Sequence, residues 1–230
     1  MALVSYEERD GIAVVRMDDG KANALGHTML EELEAATTRA IDGARALVLT
    51  GREGRFSAGF DLQEMMGGID RARALVTRGG ELLLRLYTAP LPVVVACTGH
   101  ALAGGALLVL TADVRVCARG AFRIGLNEVQ IGLPVPILAM ELARDRLRPS
   151  HLTASTLFAT IHDPDQAVAA GWVDEVVDAD KALARALSHA GKLAALNKGP
   201  YANTKNALRE RTVRYIREHM DQDMDRLLAR

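Results

Sequence analysis

Residues 4–17, VSYEERDGIAVVRM, alternate apolar and polar side chains on either side of Asp10-Gly11. That dipeptide favours a tight hairpin turn, so the pattern predicts two short antiparallel strands. Over 28–42 the period changes, with Met29, Leu33, Ala36 and Ala40 recurring at helical spacing. ARALVLTG (44–51) reads as a buried strand, the Gly/Ser-rich GREGRFSAGFD as a loop, and the region around 71–88 as a helix that stops before Pro90. PVVVACTG (92–99) is a second, β-branched strand that meets the loop HALAGG and then the apolar stretch ALLVLTAD. DVRVCAR (113–119) is a third, and AFRIG is expected to pair locally after a turn at Gly120. PILAMELARDRL opens on prolines whose fixed φ suits a first helical turn. HLTASTLFATI (151–161) predicts another helix, and DPDQAVAAGWVDEVV a helix, a glycine stop and a strand. Strand and helix repeating in this order imply an α/β fold with parallel sheet and crossover helices, whose similar units can stack as a spiral.

From about residue 180 the pattern is helical to the end, and Val213, Ile216, Met220, Met224 and Leu227 form one apolar stripe. Such a stripe packs either on its own core or on a neighbouring subunit. A length of 230 residues suits one large domain with an appended element. Lys and Arg total 28 against 29 Asp and Glu, a balance that favours neither nucleic acid nor an anionic membrane as a partner. Cys97 and Cys117 lie in apolar strand-like runs and read as buried, reduced thiols. No apolar run approaches the length of a membrane span and no leader pattern opens the chain, so a cytoplasmic protein is expected.

Two glycine-containing loops, FSAGFDL (56–62) and GHALAGGALL (99–108), each follow a buried strand. Neither is a P-loop or a GxGxxG turn. Glycine between strand and helix lets backbone N–H groups turn outward at the positive helix end, and two such groups can converge on one oxygen. The alternative is that Gly104 and Gly105 only allow close helix packing. In IGLNEVQIG (124–132) a single carboxylate, Glu128, stands among Ile124, Leu126, Val129 and Ile131, where burial would raise its pKa toward that of a general base. It reads otherwise as a solvated loop acid or a cap. The six histidines show no metal-ligand spacing, and Ser57 lies in no nucleophile elbow, although a Ser57–His100 pair stays open. Asp61, after Gly-Phe, reads as a cap for the next helix.

FSAGFDLQEM, GHALAGGALLVLTADVRV and FRIGLNEVQIGLPVP, in this order and spacing, resemble the crotonase (enoyl-CoA hydratase/isomerase) superfamily. The resemblance implies a spiral of ββα units over 1–185 and a C-terminal helical region, 186–230, used in trimer contacts, with a homo-trimer or a dimer of trimers as the assembly. It tips the apolar stripe toward a subunit interface. The implied substrate is an acyl-CoA thioester, with CoA part of the substrate and no further cofactor. By position, the backbone N–H groups of Phe60 and Gly104 would form the oxyanion hole, and Glu128 would carry the proton. Ala22, Asn23 and Ala24 of KANAL would flank CoA together with Ser57, Ala58, Gly59, Asp61 and Leu62, while Met65, Gly105, Leu107 and Leu133 complete the expected substrate contacts. Met65, Met66 and Gly67-Gly68 suggest an adaptable wall to the acyl pocket.

One position departs from the hydratases. They carry two glutamates, and the first of these falls here on Leu107. Leucine cannot activate water or manage a proton, whereas moving a double bond from C3 to C2 needs one base that returns the proton it takes. GLNEVQIG and AGGALLVLTAD are nearer to the mitochondrial-type Δ3,Δ2-enoyl-CoA isomerases, which use a single glutamate in a GLNE segment. The expected activity is therefore enoyl-CoA isomerisation. Hydration, hydrolysis or another crotonase-type step, a non-catalytic CoA-binding role and a Ser57-dependent peptidase are the alternatives.

Overall fold

The computed structural model describes residues 2–228. In chain order, β1 (Val4–Arg9), β2 (Ile12–Met17) and β3 (Ala24–Leu25) lead to α1 (His27–Gly43), and β4 (Ala46–Thr50), β5 (Gly54–Ser57) and β6 (Gly59–Phe60) to α2 (Leu62–Met65) and α3 (Ile69–Tyr87). Next come β7 (Val93–Cys97), β8 (Gly99–Leu102), α4 (Gly104–Thr111), β9 (Val114–Ala118) and β10 (Ile124–Gly125). A 3₁₀ turn (Val129–Ile131) precedes α5 (Ile137–Arg146), α6 (Pro149–Thr156), α7 (Pro164–Ala170) and β11 (Glu175–Val177), before α8 (Ala182–Ala194) and α9 (Lys198–Leu228) close the chain.

The hairpin forms as the alternation predicts, with Asp10 and Gly11 both at positive φ, as a two-residue primed turn requires. The other neighbours in the six-stranded sheet β1-β2-β4-β7-β9-β11 are parallel. Three of its strands turn a corner into a second, parallel sheet ordered β10-β8-β5. This builds the stacked ββα spiral. The local pairing expected for AFRIG does not occur, because Ile124 and Gly125 join β8 in parallel instead.

Residues of β4 and β7 are buried throughout, which fits parallel strands covered on both faces. Leu47, Leu49, Val93 and Val95 face the helices α1, α3 and α4, while Val48, Val94 and Val116 face Ala186 and Ala190 of α8. The expected boundary at 185/186 therefore falls inside a helix that covers the main sheet. Small alanines let α8 sit close on that sheet, so the core extends to residue 194 and only α9 is appended.

The stripe on α9 also packs on its own chain, contrary to its expected place at a subunit interface. Ile216 and Met224 are buried, with Val213 and Met220 packed against the same core. The first half of α9 is fastened by charge. Asp113 receives Lys205 Nζ at 2.7 Å and Arg209 Nη2 at 2.8 Å. Lys205 also donates to the Leu91 carbonyl and Arg209 to those of Tyr87 and Thr111, at the C-terminal ends of α3 and α4. Burial pulls the Lys205 ammonium down to about 8, against the attraction of Asp113. Among the described residues no helix is long and apolar enough to cross a membrane.

Removing Asp113 would strand two buried cations. Asp113→Ala is expected to cost about 3–5 kcal/mol in the free energy of unfolding, read from urea denaturation, whereas loss of an exposed pair such as Arg9–Glu7 should leave the urea midpoint where it is.

Candidate active site

Two chain reversals meet between the sheets. Gly59 has φ +92°, and a Cβ built on it would lie 2.9 Å from the Leu102 oxygen and 3.0 Å from the Gly104 nitrogen. No side chain fits there. Gly105 is equally constrained by packing, since its Cβ would stand 2.2 Å from the Ser57 carbonyl oxygen. The close-packing reading of the glycines is met at Gly105. Gly105 permits the close contact, and Gly104 brings its N–H beside the first loop.

Ala103, at the N-cap of α4, adopts φ 48° and ψ −123°, a conformation costing an alanine on the order of 1–3 kcal/mol. It swings the chain so that the first N–H groups of α4, which have no intrahelical acceptor, point out of the helix end. In β6 the Gly59 N–H goes to Ser57 Oγ and the Asp61 N–H to the Leu25 carbonyl. The intervening Phe60 N–H projects to the opposite edge of the strand, away from β3. The Phe60 ring is wedged against Gly79, where a methyl group would collide with it at 2.2 Å, and lies close to Gly104, where a methyl group would stand 3.2 Å away.

Glu128 reaches this region by a short route. Ala103 donates its N–H to the Gly125 carbonyl at 3.0 Å, and three residues later Glu128 opens the 3₁₀ turn. Strand structure ends at Gly125, so the acid lies on a turn, and of its apolar flanks only Ile124 and Leu126 are buried. Val129 and Ile131 are 42% and 52% exposed. Glu128 itself is 8% exposed, and its Oε2 atom is buried with no hydrogen-bond partner among the described residues. Burial raises its pKa above the ordinary value, with its own backbone N–H pulling weakly the other way.

Other expected contacts divide. The Asn23 side chain is fully buried and donates to the carbonyls of Met17, Arg55 and Phe56 while accepting from the Asp19 N–H. It staples the KANAL turn to β5, and no part of its amide is left for CoA. Ala22 and Ala24 are half-buried, and Ala58, Leu62 and Leu133 are exposed on the outer side. Asp61 caps α2 by accepting from the N–H groups of Gln63 and Glu64. Ser57 donates to the Asn23 carbonyl and His100 accepts from the Arg123 N–H, so the Ser57–His100 pair does not form. Met66 is 79% exposed and stands outside any wall, while Met65 is half-buried against the core.

Behind Phe60 and Leu107 lies an apolar cavity of about 40 Å³, bounded by Gly80, Leu138, Met220 and Met224. These four come from α3, α5 and α9 and carry no local motif. Only the helical stripe in α9 marked Met220 and Met224 as inward-facing.

The family model described as enoyl-CoA hydratase/isomerase matches residues 7–228. The mitochondrial enoyl-CoA delta isomerase 1 of Mus musculus is 31% identical over 227 residues, covering 96% of this chain and 78% of that protein. The 2,3-dehydroadipyl-CoA hydratase of Escherichia coli is 32% identical over 188 residues, covering 82% and 72% respectively. Among solved structures, an enoyl-CoA hydratase/isomerase family protein from Pseudomonas syringae superposes with a TM-score of 0.95 at 38% identity over 98% of each chain.

A buried carboxyl with a raised pKa favours folding in its protonated state. Its contribution is present below the unfolded pKa and is lost as pH rises through the folded one. Glu128→Gln is therefore expected to be more stable than wild type at pH 8, by about 2–4 °C in Tm per kcal/mol relieved, and to lose that advantage near pH 4, as followed by thermal melts across pH.

Proposed function

The chain belongs to the enoyl-CoA hydratase/isomerase family, and from that premise we propose that it moves a C3 double bond of an enoyl-CoA thioester to C2, with Glu128 as its single acid/base. The observation that carries this reading is one buried carboxylate with an unpartnered oxygen among the described residues, beside a buried Leu107 at the position where the family resemblance puts the hydratases' second acid. The thioester oxygen would accept from the N–H groups of Phe60 and Gly104. Glu128 takes a proton from C2, and the C–H electron pair becomes the C1–C2 bond of an enolate whose charge the two N–H groups hold. As the carbonyl re-forms, the double bond appears between C2 and C3, and the electron pair freed at C4 takes the same proton back from Glu128. Nothing is consumed, so no second acid and no co-reactant is required.

Hydration would ask more of the site. A water has to be activated while C2 gains a proton, and Leu107 can do neither. Asp223 reaches the cavity beside Leu107, but its carboxylate accepts the Ile137 N–H at 2.6 Å and is engaged at the start of α5. Homo-trimers, or pairs of them, are part of the same proposal. The exposed side chains of Leu157 and Phe158, with Val129 and Ile131, offer apolar surface for contacts between copies.

Side-by-side assays on trans-3-hexenoyl-CoA and crotonyl-CoA test the reaction. Fast conversion of the first with negligible hydration of the second is expected, and Glu128→Gln should lose about 10²–10⁴-fold in kcat. The base must be ionised, so kcat/KM should rise with pH through a pKa above the ordinary glutamate value of 4.5. Comparable hydration of crotonyl-CoA by the wild type would overturn the single-acid assignment.

A further inference from the structure

We infer that Met220 and Met224 of α9 form the end wall of the acyl-tail pocket and restrict this protein to short acyl chains, of about six to eight carbons. The inference rests on the enoyl-CoA reading above and adds the substrate class. Phe60 and Leu107 line the cavity together with the two thioether side chains of α9. Its volume of about 40 Å³ takes roughly three methylene-sized groups, at ~10–15 Å³ for each water-sized occupant. With C1 at the two N–H groups and C2 to C4 within reach of Glu128, three further carbons fill it.

The wall is anchored. Asp223, between the two methionines, accepts the Ile137 N–H at 2.6 Å, and Asp225 pairs with Arg73 of α3 at 2.6 Å. The Asp223 contact holds the α9 turn against α5, the Arg73–Asp225 pair being exposed and adding little, so a longer tail has to displace side chains that are already packed. Met224 is only 5% exposed. Gly80 supplies part of the remaining room, because a Cβ there would stand 3.3 Å from Leu138 Cδ1 and 3.5 Å from Met220 Sδ. The wall thus has a lengthening change and a shortening change built from different helices.

The test uses the full chain and compares kcat/KM on trans-3-hexenoyl-, trans-3-octenoyl- and trans-3-dodecenoyl-CoA. Wild type is expected to prefer the six- and eight-carbon substrates over the twelve-carbon one by about tenfold or more. Met220→Ala with Met224→Ala should raise the dodecenoyl-to-hexenoyl ratio about tenfold, and Gly80→Ala should lower the octenoyl-to-hexenoyl ratio. Equal turnover of all three by wild type, or ratios unchanged in both folded variants, overturns the wall. If the alanine pair does not fold, Gly80→Ala alone decides. If folded wild type turns over no 3-enoyl-CoA at all, the isomerase reading fails, and calorimetric binding of hexanoyl- and dodecanoyl-CoA to the same proteins reads the wall without turnover. Identical length dependence in wild type and variants there would sink it.

Discussion

Gly59 sits so close to the Ala103–Gly104 peptide that a side-chain carbon there would lie 3.0 Å from the Gly104 nitrogen. That approach fixes the distance between two strand-to-helix turns that come from different layers of the spiral. The large sheet sets where β5 and β8 begin, and their parallel pairing brings the turns after them side by side. Ala103 then holds a costly backbone conformation because Gly105 is pressed on Ser57 and leaves the turn nowhere else to go. Two main-chain donors held this way need no rearrangement when charge develops on a bound oxygen, which is where preorganised N–H groups are most effective. The strain is local, and the fold around it keeps it in place.

Against that fixed pair of donors stands a carboxylate that folding alone would not choose. Among the described residues Glu128 gains no salt bridge, and one of its oxygens has no partner. Burial works against its charged form, which is the shift the proposed proton shuttle calls for. Its location on a turn, instead of within a strand, gives the side chain an approach from outside the sheet while Ile124 and Leu126 keep the turn's root in the core. The hydrogen bond from Ala103 to Gly125 ties this turn to the same reversal that carries Gly104. The Gly104 reversal and the Glu128 turn therefore share one backbone connection.

What could be read from the chain without coordinates was what short segments decide. Alternation gave the hairpin, β-branched runs gave β4, β7 and β9, and glycines marked both reversals, because each of these depends on neighbours a few residues apart. The burial of Glu128 was legible for the same reason, as one acid within an apolar segment, although Val129 and Ile131 beside it are exposed. Asn23 was misplaced toward the substrate because its hydrogen-bond partners at Met17, Arg55 and Phe56 lie up to 33 residues away. The division at 185/186 failed because an alanine-rich helix gives no sign of whether its small face meets a sheet or another chain. The cavity behind Phe60 was invisible as a whole, since its walls are drawn from three helices far apart in the sequence.

The C-terminal helix shows how a distant charge cluster bears on a small apolar space. Lys205 and Arg209 lock its first half to Asp113 and to the carbonyl ends of α3 and α4. From Arg209 to Met224 the helix runs about 22 Å at ~1.5 Å per residue, and a continuous helix transmits position over that length with little slack. Asp223 provides the second fastening at α5. Between these two points Ile216 stays buried and the exposed face is free to vary without moving the other. A helix held only by its apolar stripe would be able to slide by a turn and present different side chains to the cavity. Ion pairs at one end and a helix cap at the other remove that freedom, so Met220 and Met224 meet the Phe60 cavity in one register.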